Sequence, residues 1–299
     1  MSRRLVVVGA GGIGGGIGGM LHRAGTTVVL VQRGAHGAAI RDHGLSLSTP
    51  TLSVRLDIPC VAHPRDVDWQ PGDVVLLSTK LQDAEAALDD VLAHADPDRT
   101  VVIAQNGIHG EQWAASRFRQ VLSMLVWLPA LYLEPGRVRL HGSPGNGVLD
   151  SGPVDDDGVC AWLCAALVRA GFDAVPQPDI VRWKRAKFIT NLGGVVQALG
   201  EDWSLAREAT AEGEAVMAAA GWSHVSVDTL MERCAGVGVA DVEGDSRPGG
   251  STWQSVARGV PLETRHLNGA LVALADELGV PVPVNRGLCE RASRISRGL

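Results

Sequence analysis

The chain has 299 residues with 45% apolar and 20% charged side chains, and its formal net charge is -6 at pH 7. This composition is typical of a globular protein with a sizeable core, and at about 100–200 residues per domain the length indicates two domains. The negative charge balance excludes a broad electrostatic attraction to nucleic acid or to an anionic membrane surface. We therefore expect small-molecule chemistry.

No stretch reaches the about 18 uninterrupted apolar residues of a membrane span, and the N-terminal residues lack the apolar core of a signal peptide. The sequence therefore predicts a cytoplasmic protein. Its five cysteines are odd in number and scattered, without the paired spacing of metal ligands. We interpret them as buried free thiols and predict no metal site.

The first element of the chain is an apolar run, Leu5–Val8, that ends in the glycine-rich sequence GAGGIG. The run predicts a buried strand, residues 13–24 predict an α-helix, and residues 26–31 predict a second strand. In such a β-α-β unit the glycines permit the turn, the approach of a pyrophosphate and the packing of helix on strand. The alternative is a packing turn without a ligand. The residues predicted to bind a dinucleotide are Gly9, Gly11, Gly12, Ile13 and Gly14.

The end of the second strand indicates which dinucleotide binds. An Asp or Glu at this point accepts a hydrogen bond from the ribose 2′-OH of NAD, but this chain has Gln32-Arg33 and no acid before Asp42. A carboxylate would repel a 2′-phosphate, whereas the guanidinium of Arg33 can donate two hydrogen bonds to it. We therefore predict NADP(H) as the cofactor. The alternative is that Arg33 is only a solvent-exposed residue.

The rest of the first half alternates strand and helix patterns, which is typical of a doubly wound parallel sheet. The predicted strands are residues 54–60, 74–78, 101–104 and 121–126, with helices at 83–94 and 111–119. Ligands bind at the carboxyl ends of such strands, where the chain places Lys80 and Asn106. Asn106-Gly107 also fits an ordinary turn. Lys80 is one of only three lysines beside 24 arginines, which favours a specific role.

The pattern changes near Gln177, where we place the domain boundary. Before it, short antiparallel strands are predicted within 137–151, a helix at 159–170 and a last strand at 172–175. After it, long helical patterns follow at 180–199, 204–220, 223–236 and 262–278, and 236–250 is interpreted as a loop or a frayed helix end. The predicted fold is α/β: an N-terminal Rossmann-type doubly wound parallel sheet, residues 1–177, followed by an all-α C-terminal domain, residues 178–299.

Two polar patterns stand out in the helical half. Lys187 and Asn191 are spaced i,i+4 and therefore share one face of a helix. A lysine, unlike an arginine, can give up a proton near neutral pH when its surroundings lower its pKa. Ser251 begins a polar stretch before an amphipathic segment that carries Glu263. Each pattern alone is also typical of a solvated helix face.

Taken together, these residues resemble the ketopantoate reductase family (2-dehydropantoate 2-reductase) over nearly the whole chain. The matching pieces are the GxGxxG opening, QRGAH at 32–36, Lys80, Gln105-Asn106-Gly107, Lys187-Phe188-x-x-Asn191, Ser251-x-x-Gln254 and the closing 263–284. The resemblance implies NADPH-dependent reduction of a 2-oxo acid to a 2-hydroxy acid. Ketopantoate is the default substrate, with pantoate as the product in pantothenate biosynthesis.

The resemblance also implies roles for individual residues. Lys187 would be the general acid, with Glu263 beside it and the substrate as a second catalytic residue. Lys80 and Asn106 would line the nicotinamide side and contact cofactor and substrate. The implied substrate-binding residues are Lys80, Asn106, Asn191, Ser251 and Glu263. Hydride reaching a ketone carbon builds negative charge on the oxygen, which a nearby ammonium can stabilise and then protonate.

Two positions depart from the family pattern. Val195 stands where the family often has a second Asn one turn after the first, and Pro248 replaces an Asn that is common three residues before the serine. Both changes remove hydrogen-bonding groups from the implied pocket and so alter its substrate discrimination. Three interpretations stay open: a ketopantoate reductase, a reductase of a more apolar oxo acid or of an imine, and a catalytically idle NADP-binding sensor. Monomer and homodimer both stay open.

Overall fold

A computed structural model of the chain describes residues 3–153 and 157–296. The chain divides into two compact units. The first unit comprises the chain to Gln105, His109–Ile180 and Cys234–Arg247. The second unit comprises Asn106–Ile108, Val181–Arg233 and the chain from Pro248.

The first unit contains every strand of the described residues. The strands are β1 (Arg4–Val8), β2 (Val28–Val31), β3 (Leu45–Thr49), β4 (Leu52–Leu56), β5 (Cys60–Val61), β6 (Asp73–Leu77), β7 (Thr100–Ile103), β8 (Gln120–Met124), β9 (Ala130–Leu131), β10 (Arg137–Leu140), β11 (Gly142–Pro144), β12 (Ser151–Gly152) and β13 (Val237–Val239). Its helices are α1 (Gly12–Arg23), α2 (Gly34–His43), α3 (Ala84–Leu92), α4 (Gly110–Ala115) and α5 (Val159–Arg169).

The main sheet has seven strands in the order β12-β8-β7-β6-β1-β2-β5. All neighbours pair in parallel except β12, which pairs antiparallel with β8. The strand order therefore reverses between β1 and β6, which is the topology of doubly wound dinucleotide-binding sheets. This confirms the predicted fold class of the first half. Ligands bind in such sheets at the carboxyl ends of the strands beside this reversal.

The continuous apolar run of β1 reflects burial on both faces of the sheet. Leu5 and Val7 pack in one core with residues of α1 and α5, whereas Val6 and Val8 pack in the other core with residues of α3. A strand covered by helices on both sides needs apolar residues at every position, without the alternation of a half-exposed strand.

Two predicted strands are wrong. The predicted strand at 54–60 is divided into β4 and β5, and Pro59, which has no N–H to donate, lies just before β5. The predicted strand at 172–175 is replaced by isolated bridges, in which Asp173 pairs with Val148 and Pro176 with Ser151. In addition, the predicted helix at 111–119 is shorter, because α4 ends at Ala115.

The segment 236–250 is not the loop of a helical domain. Its strand β13 pairs antiparallel with β11, and the following Glu243 accepts hydrogen bonds from Ser48 Oγ and Ser53 Oγ, both at 2.8 Å. These hydroxyls, with Arg139 and Arg137 nearby, hold the pKa of Glu243 below its usual value. The chain therefore returns to the first unit at Cys234, and that unit is not one continuous range ending at 177.

The second unit is helical. Its helices are α6 (Ile180–Asn191), α7 (Gly194–Leu199), α8 (Ser204–Ala219), α9 (Val227–Cys234), α10 (Ser251–Ala257), α11 (Asn268–Leu278) and α12 (Pro283–Ser296). The single helix predicted at 180–199 is broken after Asn191, and the helix predicted at 262–278 begins as a separate 3-10 turn, Glu263–His266. Helices α10 and α12 have no counterpart among the predicted elements. Within the described residues, no helix is both long enough and apolar enough to cross a membrane.

All five cysteines have free thiols. Cys160, Cys164 and Cys234 are buried as predicted, whereas Cys60 and Cys289 are partly exposed. Burial raises the pKa of the Cys289 thiol to about 11. This thiol is therefore protonated and unreactive near neutral pH.

Candidate functional site

The glycine turn after β1 lies beside the reversal of strand order in the main sheet. Gly9 has φ +94°, a conformation that favours glycine, and a Cβ there would lie 2.7 Å from the backbone nitrogen of Thr79. A Cβ on Gly14 would overlap Ser78 Oγ and the carbonyl oxygen of Gly9. The turn and the close approach of α1 to the strands therefore both require glycine.

The N-terminus of α1 is open. Gly11 is the N-cap residue, and no side chain caps the first turn or places an acid in it. A Cβ built on Gly11 would meet only Tyr132 Cδ1, at 3.9 Å. The first-turn N–H groups of α1, from Gly12, Ile13 and Gly14, therefore lie where the helix dipole favours a phosphate group.

Polar residues after β6 and β7 hold this turn in place. Ser78 Oγ donates to the carbonyl oxygen of Gly9 at 2.9 Å, and Gln105 Nε2 donates to Thr79 O at 2.8 Å and Thr79 Oγ1 at 3.0 Å. Gln105 is buried, and its Oε1 has no hydrogen-bond partner among the described residues. The sequence interpretation gave roles to the neighbours Lys80 and Asn106 instead. The sequence signal that could have identified Ser78 and Gln105 is their position as polar residues after buried strands.

The predicted cofactor residues beyond the glycine turn lie at strand ends. Arg33 follows β2 and is the N-cap residue of α2, and its Nη2 lies 3.4 Å from Asp83 Oδ1. The Arg33 side chain is largely in solvent and that of Asp83 is half-exposed, so this ion pair is weak and leaves the guanidinium able to bind an anion. Lys80 is half-buried after β6 and precedes the 3-10 turn that contains Asp83. Asn106 follows β7 and is grouped with the second unit.

In the second unit, α6 carries Lys187 and Asn191 within its last two turns. Both side chains are half-buried, and Thr190 Oγ1 between them donates to the carbonyl oxygen of Lys187 at 2.8 Å. Asn191 Nδ2 is buried without a hydrogen-bond partner among the described residues. An unsatisfied buried donor costs about 1–3 kcal/mol, so a polar ligand that accepted from this amide would remove that cost.

Ser251 and Glu263 are brought together although twelve residues separate them in the chain. Ser251 is the first residue of α10, and its Oγ donates to Glu263 Oε2 over a long 3.5 Å. Helix α10 packs against α7, and Gly250 N–H donates to Gln197 Oε1 at 3.0 Å. The Ser251 hydroxyl is therefore the donor in this contact, and the Glu263 carboxylate is the acceptor.

A buried amide network fixes the chain where α6 ends. Asn268 Nδ2 donates to Leu192 O and to Asn285 Oδ1, both at 2.9 Å. Asn285 Nδ2 donates to Glu212 Oε2 at 2.7 Å, and the Glu212 carboxylate accepts the backbone N–H groups of Val284 and Asn285 at the start of α12. This network, which the sequence interpretation missed, holds the residue that directly follows Asn191.

The two positions that depart from the family pattern differ in exposure. Val195 lies in α7 and is only 2% exposed, whereas Pro248 is exposed. An asparagine at Val195 would be a buried amide that needs partners, and valine needs none. Among residues 3–153 and 157–296, no three His, Cys, Asp or Glu side chains are arranged to hold a metal ion.

Two family models match the chain. The model of ketopantoate reductase PanE/ApbA matches residues 5–154, and the C-terminal model of the same family matches residues 189–296. A 2-dehydropantoate 2-reductase of Archaeoglobus fulgidus is 27% identical and is covered over 99% of both chains. The crystal structure of a PanE/ApbA family ketopantoate reductase from Ralstonia eutropha JMP134 is 28% identical, with a TM-score of 0.83 and 99% of both chains covered.

A second solved structure is similar in fold. D-mandelate dehydrogenase, in its ternary structure with NADH and anilino(oxo)acetate, has a TM-score of 0.82 over 99% of both chains. Its sequence is 23% identical to this chain. At this identity, the similarity shows a shared fold alone.

Proposed function

Because the chain belongs to the ketopantoate reductase family, we propose that it reduces a 2-oxo acid to a 2-hydroxy acid with NADPH, with ketopantoate as the default substrate. It is an oxidoreductase acting on CH–OH groups and uses a nicotinamide cofactor. The observation that carries the proposed reaction is that α6 presents Lys187 together with Asn191, whose buried amide Nδ2 has no hydrogen-bond partner among the described residues.

The first unit fits a dinucleotide. Gly11 leaves room for a pyrophosphate beside an uncapped helix N-terminus, where a larger side chain would fill the approach. NADPH is favoured over NADH because Arg33 follows the second strand, β2, in the region where an NAD enzyme has a carboxylate. When bound, the cofactor supplies the hydride, and the protein supplies placement and electrostatics.

The second unit would perform the proton chemistry. As the carbonyl carbon is reduced, the C=O π electrons move to the oxygen, and the Lys187 ammonium stabilises that charge and gives the oxygen its proton. Asn191 Nδ2 would donate to the carboxylate or carbonyl oxygen of the substrate. Ser251 would hydrogen-bond a polar group of the substrate, and the Glu263 carboxylate, which accepts from the serine hydroxyl, would orient that serine.

A more apolar 2-oxo acid is the second candidate substrate. The observation that favours it is Val195, which is buried and apolar where the family often has an amide. A structural neighbour, D-mandelate dehydrogenase, was solved with anilino(oxo)acetate, an aromatic compound. On this alternative, 2-oxo acids with branched or aromatic side chains would have a higher kcat/KM than ketopantoate.

The test measures NADPH oxidation with ketopantoate and with a panel of branched and aromatic 2-oxo acids. We expect Lys187→Ala to lower kcat/KM by about 10²–10⁴-fold while the Kd of NADPH is retained. Lys187→Arg keeps the charge but cannot deliver the proton, so it should also be strongly impaired.

The matched control is Arg182→Lys, which changes an exposed basic residue of α6, keeps its charge and should stay close to wild type. A fully active Lys187→Ala enzyme would show that the general acid is assigned wrongly. If the wild-type protein binds NADPH tightly but reduces none of the acids, the protein is an NADP-binding sensor instead.

A further inference from the structure

His36, on α2, contacts the glycine turn through one ring nitrogen and Gly136 through the other. The side chain is 3% exposed. Its Nδ1 accepts the backbone N–H of Gly136 at 2.8 Å, and its Nε2 lies 2.8 Å from the carbonyl oxygen of Ala10. A backbone N–H can only donate, so Nδ1 is the acceptor and Nε2 carries the proton that is donated to Ala10. The imidazole is therefore held as one neutral tautomer.

Tyr132 completes this arrangement. Its ring lies against His36 with 4.2 Å between the centroids and a tilt of 41°. The same tyrosine is the nearest neighbour of the open side of Gly11. The histidine is thus packed between α2, the 132–136 segment and the middle of the glycine turn.

The hydrogen bond to Ala10 has a consequence for the next N–H group. The carbonyl of Ala10 and the N–H of Gly11 belong to one planar trans peptide, so they point in opposite directions. Because His36 draws the carbonyl oxygen into the buried side, the N–H of Gly11 is turned away from the histidine. In a dinucleotide-binding turn, the second glycine, here Gly11, is the residue at which the backbone approaches the pyrophosphate.

We propose that His36 is a positioning residue for the cofactor, which sets the Ala10–Gly11 peptide so that its N–H faces the pyrophosphate. The proposal rests on the proposed use of a nicotinamide dinucleotide. Arg33 is the N-cap residue of the same helix, α2. His36 therefore also fixes the distance between the pyrophosphate donors and the residue that would bind the 2′-phosphate.

The test compares His36→Phe, which keeps the ring against Tyr132 but has no polar atoms, with His36→Gln, which retains a donor and an acceptor. For His36→Phe we expect the Kd of NADPH, measured by fluorescence titration, to rise about 10-fold. The kcat at saturating NADPH and the KM of the oxo acid should change by no more than about twofold, because the turn does not touch the reacting carbonyl. His36→Gln should recover part of the lost affinity.

The matched control is His43→Gln, an exposed histidine at the end of α2, which should leave both constants unchanged. A His36→Phe protein that melts at a lower temperature but binds NADPH as tightly as wild type would overturn the proposal, since His36 would then serve only stability. If His36→Phe does not fold, an unchanged Kd in His36→Ala and His36→Gln together would overturn it. A wild-type protein that binds neither NADPH nor NADH would instead refute the proposed function.

Discussion

The glycine turn of the first unit and the end of α6 in the second unit present polar groups in opposite ways. The turn offers backbone N–H groups and depends on the absence of side chains at Gly11 and Gly14. The end of α6 offers side chains, the ammonium of Lys187 and the amide of Asn191. Backbone N–H groups suit the binding of a cofactor that many enzymes share. A particular reaction needs the chemistry of particular side chains, such as those at the end of α6.

Both regions are held by the same kind of brace, which is a buried side chain that donates a hydrogen bond to a backbone carbonyl oxygen. His36 donates to the carbonyl oxygen of Ala10, and Asn268 donates to the carbonyl oxygen of Leu192. Each donor is buried, and each carbonyl belongs to a residue directly adjacent to a proposed ligand-binding residue. In both regions, therefore, a buried side chain that does not touch the ligand can orient the site by donating to one neighbouring carbonyl.

We expect the largest effects when single glycines of the turn are replaced. One replacement should mainly lower stability, and the other should mainly weaken cofactor binding. Gly14→Ala forces a Cβ onto the backbone of Gly9, so we expect the free energy of unfolding to fall by about 3 kcal/mol, with loss of cofactor binding. Gly11→Ala meets no close neighbour and should lower stability by at most about 1 kcal/mol. It should nevertheless raise the Kd of NADPH at least about 10-fold, because its methyl group faces the pyrophosphate.

Thermal unfolding and fluorescence titration of the two variants separate these effects. If Gly11→Ala binds NADPH as tightly as wild type, the pyrophosphate does not approach that residue. An equal loss of stability in both variants would contradict the packing difference between the two positions.

Removing the brace of the second region should affect the reaction more than the cofactor. Asn268→Ala leaves Leu192 O and Asn285 Oδ1 without their donor, so we expect the free energy of unfolding to fall by about 2–3 kcal/mol. Because Leu192 follows Asn191, kcat/KM for the oxo acid should fall about 10-fold, with the Kd of NADPH unchanged. Ser293→Ala, which removes an exposed hydrogen bond in α12, is the control and should match wild type. An Asn268→Ala enzyme with a weakened Kd for NADPH and normal turnover would reverse the assignment of the two regions.

The two regions also differ in how far the sequence predicts them. The glycine turn is predictable because the glycine spacing within one β-α-β unit reports the positive φ at Gly9 and the contact of Gly14 with the Gly9 carbonyl oxygen. The packing of Gly9 on Thr79 and of Gly14 on Ser78 involves residues outside that unit. The doubly wound sheet is predictable because Leu5–Val8 of β1 form a continuous apolar run, and strand and helix patterns alternate after it. The sequence therefore predicted the fold class of both halves.

The elements that the sequence predicted wrongly depend on contacts between residues that are far apart in the chain. The single helix predicted at 180–199 is broken where Gly193 packs closely on Ala206 of α8, and Asn268 holds the break from 76 residues further along the chain. Likewise, the return of 234–247 to the first unit depends on Ser48 and Ser53, far away in sequence from their partner Glu243. Hydrophobic periodicity carries no information about such partners.

The smallest expected effect concerns the choice of cofactor in the first region. Arg33→Gln should raise the Kd of NADPH about 10-fold and leave the Kd of NADH unchanged, because only NADPH has the 2′-phosphate. Asp83→Asn removes the carboxylate that lies 3.4 Å from the guanidinium, so it should lower the Kd of NADPH by no more than about threefold. Both Kd differences should shrink as salt is raised, since the groups are exposed. If Arg33→Gln weakens NADH and NADPH equally, Arg33 supports the turn in general, and the preference for NADPH must come from another residue.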